Sequence, residues 1–256
     1  MLTSGSDLRD DVREAIEIAW PDGVVEMAID SEESWFQDVY PKLASALRHI
    51  GGARLVHEQE PHREPAGFYD SDDEDEEEFP PEDLEPSRSY HLFFVCPEGK
   101  AFNYATEIET FVEPDWDLDE DGSESPMEVV AGTGRTGWSV CVSLVAPFAV
   151  ITLSDMSTFE DGSSSEPSLE SHAFTETGQR VDPEAEFRKF KGEQAFQVLL
   201  KLRDRICGIL DKHGIGVLPE TEWRKPVPWL RADEGVFAGT TGEQIRVLDA
   251  LFFEGL

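Results

Sequence analysis

The stretch Gly137–Asp155, GWSVCVSLVAPFAVITLSD, is the longest apolar run in the chain and constrains the fold more than any other segment. It is rich in Val, Ile, Phe and Thr, residue types that suit a pleated, packed surface. Two adjoining buried strands are expected, with Pro147 marking the break because proline cannot donate to a central ladder. The apolar part, Val140–Leu153, is too short to span a bilayer and contains Ser143 and Pro147. Strands of this kind need cover on their faces, so the remaining segments are read as that cover or as loops at the sheet's edges.

The cover starts with helices. Ser6 can cap a first helix with apolar positions Leu8, Val12, Ile16 and Ala19, ended by Pro21-Asp22-Gly23. Val24–Ile29 reads as a short strand or linker. Ser31, with Glu32 and Glu33 after it, starts a second helix whose stripe is Trp35, Val39, Leu43, Leu47 and Ile50. Pro41 should kink that helix or open a new one at its own first position. Gly51-Gly52 stops it.

Strands follow. Ala53–Gln59 is one, and Ser89–Cys96 and Ala101–Val112 are two more joined by Pro97-Glu98-Gly99-Lys100, a hairpin signal. Met127–Ala131 is another, and Gly132–Gly137 reads as a turn before the central pair. Asp182-Pro183 then opens the strongest helix, with Asp as cap and Pro in the first turn. Its expected face is Phe187, Phe190, Val198, Leu202, Ile206, Ile209 and Leu210, and Gly214 closes it. The tail, with VLPETEWRKPVPWLR and IRVLDALFFEGL, is rich enough in Trp, Phe and Leu to wrap back on the core. Strands cluster instead of alternating with helices, so the expected class is α+β: N-terminal helices, a central mostly antiparallel sheet and a long amphipathic helix near the C-terminus. Residues 1–256 are read as one domain.

Charge is the outlier. The chain carries 21 basic and 55 acidic residues, a net −34. Three segments hold most of it: 63–86 carries −11, 113–128 carries −8 and 155–170 carries −5. Acidic, flexible loops are therefore expected at 61–87, 113–128 and 155–172, since like charge at this density cannot bury enough surface to order itself. A body this negative repels phosphates and anionic membranes, so neither nucleic acid nor a membrane is an expected partner. It attracts basic proteins. The one basic element is 187–213, with seven bases against three acids, read as an exposed helix face that balances the sheet's acidic neighbours; the alternative, a patch for phosphates, is opposed by the surrounding charge.

Cys96, Cys141 and Cys207 are widely spaced, form no CxxC pair and are odd in number, which points to buried free thiols in a reducing compartment. The N-terminus has no basic segment followed by an apolar one, so a soluble, cytoplasmic protein is expected.

Motifs for chemistry are few. Gly132-Thr-Gly134-Arg-Thr-Gly137 matches GxGxxG, but the dinucleotide fingerprint needs a helix next and Trp138–Ser143 reads as a strand. Arg135 would face solvent at the tip of that turn. The six histidines show no metal spacing, and no nucleophile elbow or phosphate loop is present. Glu107 and Glu109 share one strand face by period two and read as a solvated surface. Asp117-Leu-Asp119-Glu-Asp121-Gly122-Ser123-Glu-Ser125-Pro-Met-Glu128 satisfies D-x-D-x-D-G-x5-E and resembles the calcium loop of EF-hands over these 12 residues. The resemblance implies Ca2+ ligands at Asp117, Asp119, Asp121, Ser123 and Glu128, with Ser125 acting through water. Position eight is Glu124, where EF-hands carry an aliphatic residue, and the flanks read as strands instead of helices.

The reading that unites these features is a non-enzymatic acidic protein that engages a basic macromolecular partner, as bacterial immunity or inhibitor proteins engage a cationic toxin or nuclease. Its contact residues would be Phe68, Tyr69, Asp72, Asp73, Glu74, Asp75, Glu76, Glu77, Glu78, Phe79 and Trp116, acids for steering and aromatics for anchoring. No other cofactor is expected. The rival readings are a calcium-binding protein, a scaffold component of a larger assembly, and a small-molecule enzyme without a sequence motif.

Overall fold

A computed structural model of the chain describes residues 8–25, 35–59, 63–65, 84–86, 88–111, 127–165, 173–174, 180–232 and 244–252. Helix α1 is Asp10–Ala19 and strand β1 is Val24–Val25. Helix α2 is Phe36–Arg48, β2 is Ala53–Gln59, β3 is Arg63–Pro65 and β4 is Leu84–Pro86. Strand β5 is Tyr90–Pro97; a 3-10 turn at Lys100–Phe102 leads to β6, Asn103–Phe111. The long strands β7, Met127–Ser143, and β8, Phe148–Phe159, come next, then the short β9, Ser164–Ser165, β10, Ala173–Phe174, and β11, Arg180–Val181. Helices α3, Pro183–Lys191, and α4, Glu193–Lys212, precede β12, Gly216–Val217; α5, Glu220–Trp223, β13, Arg231–Ala232, and α6, Val247–Leu251, finish the chain. The class is α+β, built on a mostly antiparallel seven-stranded sheet. Among the described residues no helix is long and apolar enough to cross a membrane.

The sheet runs β12-β8-β7-β5-β2, with β6 also on β7 and β9 on β8. Strand β7 is its spine. Its last third pairs with β5, Val95 opposite Trp138 and Tyr90 opposite Ser143, while its first half pairs with β6, Asn103 opposite Arg135 and Phe111 opposite Met127. Strands β5 and β6 therefore lie end to end along one edge of β7, and Pro97–Lys100 is a break between them. The hairpin expected there does not form; each strand instead pairs with a different length of β7.

The glycine run is not a turn either. Gly132, Gly134 and Gly137 sit inside β7, the first two paired on both sides and Gly137 with Ser154 of β8. A Cβ would lie 2.5 Å from the Phe159 ring at Gly132, and 2.6 Å from the Val95 carbonyl oxygen at Gly137. At Gly134 it would fall within the Tyr104 ring's van der Waals surface. These glycines let neighbouring rings and backbone lie flat on the strand. Arg135 is accordingly half-buried in the ladder, not solvent-facing at a tip.

One face of the sheet, Phe93, Val95, Trp138, Val140, Val142 and Leu153, packs under Leu43 and Leu47 of α2 and Leu199, Leu202, Ile206 and Leu210 of α4. The other face, Tyr90, Leu92, Cys141, Phe148 and Val150, packs under Val12 and Ile16 of α1, Trp223, and Val247, Leu248, Leu251 and Phe252 of the tail. The tail thus wraps back on the core, as its composition implies.

Several local expectations change. Helix α2 begins at Phe36 and runs through Pro41, whose ring lies on the exposed side, instead of restarting there. Phe36 and Tyr40 pack 5.5 and 4.8 Å from the His91 ring, which fixes the turn before the proline. The helix opened by Asp182-Pro183 has its cap, Glu184 N donating to Asp182 Oδ1 at 3.0 Å, but it is two helices. Gly192 at φ +84° ends α3 and starts α4, which swings Phe190 out to 73% exposure; Val198 is also exposed. Residues 155–165 form the end of β8, a turn and β9, so that part of the third acidic segment is regular structure. Within 61–87, β3 and β4 pair, Arg63 opposite Pro86. Cys96 and Cys141 are buried free thiols, and Cys207 is half-buried. Ser6 and Ser31 lie outside the described residues.

Candidate functional site: an acid-rimmed cleft at one end of the sheet

The connection between β7 and β8, Leu144–Pro147, is built around Ser143. Its Oγ accepts from the amides of Val145 and Ala146 at 3.1 and 3.3 Å and donates to the Leu251 carbonyl at 2.6 Å. Strand β12 then docks parallel to β8, with Gly216 opposite Phe148 and the Gly216 amide donating to the Pro147 carbonyl at 2.9 Å. A Cβ at Gly216 would press on the Phe148 ring at 3.1 Å, so the ring would have to give way to any side chain there. Gly214, at φ +75°, makes the reversal out of α4. Facing these segments is one side of α1, where Asp11, Glu14, Ala15 and Ile18 follow helical spacing. Together they enclose a cleft of about 520 Å³.

Three carboxylates, Asp11, Glu14 and Asp211, line the cleft, and no Lys, Arg or His does. Arg9 grips Asp11 from outside, Nε to Oδ1 at 3.1 Å and Nη2 to Oδ2 at 2.5 Å. That hydrogen bonding holds the Asp11 carboxyl below the usual range. The carboxylates of Glu14 and Asp211 have no ion pair or hydrogen bond among the described residues. The rest of the lining is apolar, including Ile18, Val145 and Phe148. Such a cleft is suited to a ligand with a positive group and an apolar body.

The first acidic tract leaves the sheet at this same end. The β2–β5 ladder ends with Gln59 opposite Leu92, and β3 and β4 pair as a separate two-stranded ladder, Arg63 opposite Pro86. The β3–β4 ladder is the stem from which residues 66–83 run. Arg88 lies at the end of the β2–β5 ladder: Nη1 donates to Gln59 Oε1 at 2.6 Å, and the guanidinium lies 5.6 Å from the centre of the Tyr90 ring. The second acidic tract leaves between Phe111 and Met127, at the opposite end of β7, and residues after Phe159 also leave there. A 17-residue strand spans roughly 55 Å.

The sequence-predicted contact residues Phe68, Tyr69, Asp72, Asp73, Glu74, Asp75, Glu76, Glu77, Glu78, Phe79 and Trp116 lie outside the described residues, as do Asp117, Asp119, Asp121 and Ser123. Glu128 is described in its backbone alone, opposite Thr110. The segments bearing the 68–79 group and Trp116 leave the sheet at opposite ends, so the fold does not bring their stems together. Strands, not helices, flank the 117–128 loop. Among the described residues no group of three His, Cys, Asp or Glu side chains is placed to hold a metal.

Two further polar sites resolve into structure. Glu58 accepts from the Tyr40 hydroxyl and from Arg48 Nη2, each at 2.6 Å. Burial pushes its carboxyl up, but those two partners outweigh it and hold it below the usual range. His91, 3% exposed, stacks on Phe93 at 4.5 Å, with Nε2 3.5 Å from Glu58 Oε1 and no hydrogen-bond partner. Burial lowers its pKa to about 4, so it is neutral in the folded protein. This group ties α2 to β2. The bases of α3 and α4 are largely engaged within the fold: Arg203 with Glu184 and the Trp138 ring, Arg188 with Glu193 and Phe196, Lys189 with Glu186, and Arg205 with the Gly51 carbonyl. The acids they pair with belong to α3 and α4 themselves, not to the sheet.

Sequence reasoning missed the cleft because its walls come from four separated segments. Two signals mark it in hindsight. Ile18 falls off the Leu8–Val12–Ile16 stripe, and Asp211 sits in a last helical turn, where a carboxylate is disfavoured. Comparison with known proteins gives no match to this chain: no protein family, no curated protein and no solved structure.

Proposed function

We propose that the protein is a non-enzymatic acidic binding protein that engages a basic macromolecular partner, acting in the bacterial cytoplasm as an immunity or inhibitor protein does. The observation that carries this reading is the stem of the first acidic tract. The densest charge in the chain lies between the paired strands β3 and β4, in the segment that follows Gln59 at the sheet end that also holds a cleft lined by carboxylates and no base. Dense charge steers a cationic partner and raises its encounter rate, while the aromatics of the tract supply anchors. Binding measured against a small basic protein across a salt series tests it. Affinity should fall steeply with salt and should drop when Asp70–Asp83 is deleted with the stem kept. Equal binding by both proteins at every salt concentration would reject the reading.

A second reading rests on Asp117–Glu128, a loop of calcium-ligand pattern carried between β6 and β7. Micromolar calcium should then raise the melting temperature, and Asp117→Ala should remove the rise. An unchanged melting temperature ends that reading.

A further inference from the structure

We propose that the cleft between α1, the Val145–Phe148 turn and the end of α4 docks a short basic segment of a partner protein. An arginine or lysine would sit against Glu14 and Asp211, with a neighbouring apolar side chain on the floor formed by Ile18, Val145 and Phe148. The nature of the partner rests on the function proposed above; the site does not depend on the acidic tract.

Charge complementarity names the occupant's sign. Asp11 is matched by Arg9, so an incoming cation meets two carboxylates that have no partner among the described residues. The floor names its other half. Ile18 is 74% exposed, although α1 already buries Val12 and Ile16, so the fold makes no use of a large apolar group there. Apolar surface beside unpaired carboxylates favours a mixed basic and apolar segment over a wholly polar cation such as a polyamine.

The cleft is also built to stay open. Gly214 and Gly216 contribute no side chains to it, Ala15 and Ala146 contribute only methyl groups, and Ser143 and the β12–β8 ladder hold its walls. Its volume of about 520 Å³ matches sites of ~300–1,000 Å³ that enclose compact ligands, enough for a few side chains and too small for a helix of a partner. Asp211 adds an independent sign. It is retained in the last turn of α4, where the helix dipole opposes a negative charge.

The test uses the full chain and a fluorescein-labelled peptide of repeating Gly-Arg-Leu, with a Gly-Arg-Ser peptide of equal charge and spermine as comparisons. Glu14→Lys combined with Asp211→Lys should weaken Gly-Arg-Leu binding by roughly tenfold or more, as reversal of paired charges does. Ile18→Ser should weaken it by about threefold or more through lost apolar contact, with little effect on Gly-Arg-Ser. All three residues are exposed, and an unchanged unfolding midpoint or a small rise verifies that the variants fold. In the Asp70–Asp83 deletion the ratio between wild-type and cleft-variant affinities should persist. If the cleft variants bind like wild type while the deletion abolishes binding, this inference falls and the acidic-tract reading stands. If Gly-Arg-Ser and spermine compete as well as Gly-Arg-Leu does, the cleft is a general counterion site and the inference also falls. If no basic probe binds, both fall.

Discussion

The two faces of the sheet are covered in opposite ways. One lies under α4, a 20-residue helix whose apolar side chains recur in sequence and whose backbone satisfies itself. Across the contact the Trp138 indole donates to the Leu199 carbonyl at 2.9 Å. The other lies under α1 and a tail that meet across 230 residues, where the Trp20 indole donates to the Ala250 carbonyl at 2.8 Å. Helix α6 has only five residues, too short to satisfy its own last carbonyls. The sheet and α1 do so instead, with Ser143 Oγ and Ser89 Oγ reaching Leu251 O at 2.6 and 3.3 Å. A long helix brings its order with it, whereas a short one borrows order from what it covers. The cleft lies where the two kinds of cover meet.

The comparison breaks most sharply if the tail is removed. Truncation after residue 243 strips Val247, Leu248, Leu251 and Phe252, all buried, from the sheet and removes the Leu251 and Ala250 carbonyls that accept from Ser143, Ser89 and Trp20. At ~1.5–3 kcal/mol for each buried side chain, the loss approaches the ~5–15 kcal/mol that a whole domain commands. We expect no cooperative urea transition by circular dichroism. A wild-type midpoint would mean that the helix-covered face sustains the fold alone. On that face, Trp138→Ala should cost ~3–5 kcal/mol in urea unfolding while leaving a single cooperative transition.

These contrasts explain what could be read from the sequence. The α+β class, the break at Pro147, the Asp182 cap and the packing of the tail all follow from residue pattern, because burial and capping are local. The Gly132–Gly137 run was opaque because glycine serves turns and close approach equally well. Tyr104, Phe159 and Val95, distant in sequence, decide for the second. The residues chosen for partner contact and calcium fall between strands, on segments outside the described residues apart from Glu128, so pattern alone names them. The cleft was hidden because no single segment of its wall carries a motif.

His91 sharpens the comparison by pH, since it lies under α2 on the helix-covered face. Its folded pKa, lowered to about 4 by burial, is below the ordinary value of 6.5. The unfolded chain therefore takes up a proton between those values that the folded chain refuses. Stability from this group is present above pH 6.5 and is lost as pH falls toward 4, by about 3 kcal/mol at most. Urea midpoints at pH 7, 5.5 and 4.5 should fall for wild type. They should fall much less for His91→Phe, which keeps the stack on Tyr40 and Phe93; equal slopes would show that other groups set the acid limit.

Strand β7 offers a smaller test, of close approach itself. Gly134→Ala should cost about 1–3 kcal/mol, because its methyl group has to displace the Tyr104 ring. In a Tyr104→Ala background the same change should cost little, giving a coupling energy of similar size in a double-mutant cycle. Additive costs would mean that the strand, and not the ring, requires glycine there.

The smallest effect is expected at the seam, and its sign is what matters. Asp211 lies in the last turn of α4, where exposed carbonyls carry the negative end of the helix dipole. Asp211→Lys replaces an unfavourable charge by a favourable one and should raise stability by about 0.3–1 kcal/mol at low salt, less as salt screens the field. Glu193→Lys, in the first turn of the same helix, should do the opposite by a similar amount. If Asp211→Lys destabilises instead, the carboxylate has a structural role that geometry does not reveal. A rise in stability would show that the carboxylate at the cleft is held against the preference of the helix that carries it.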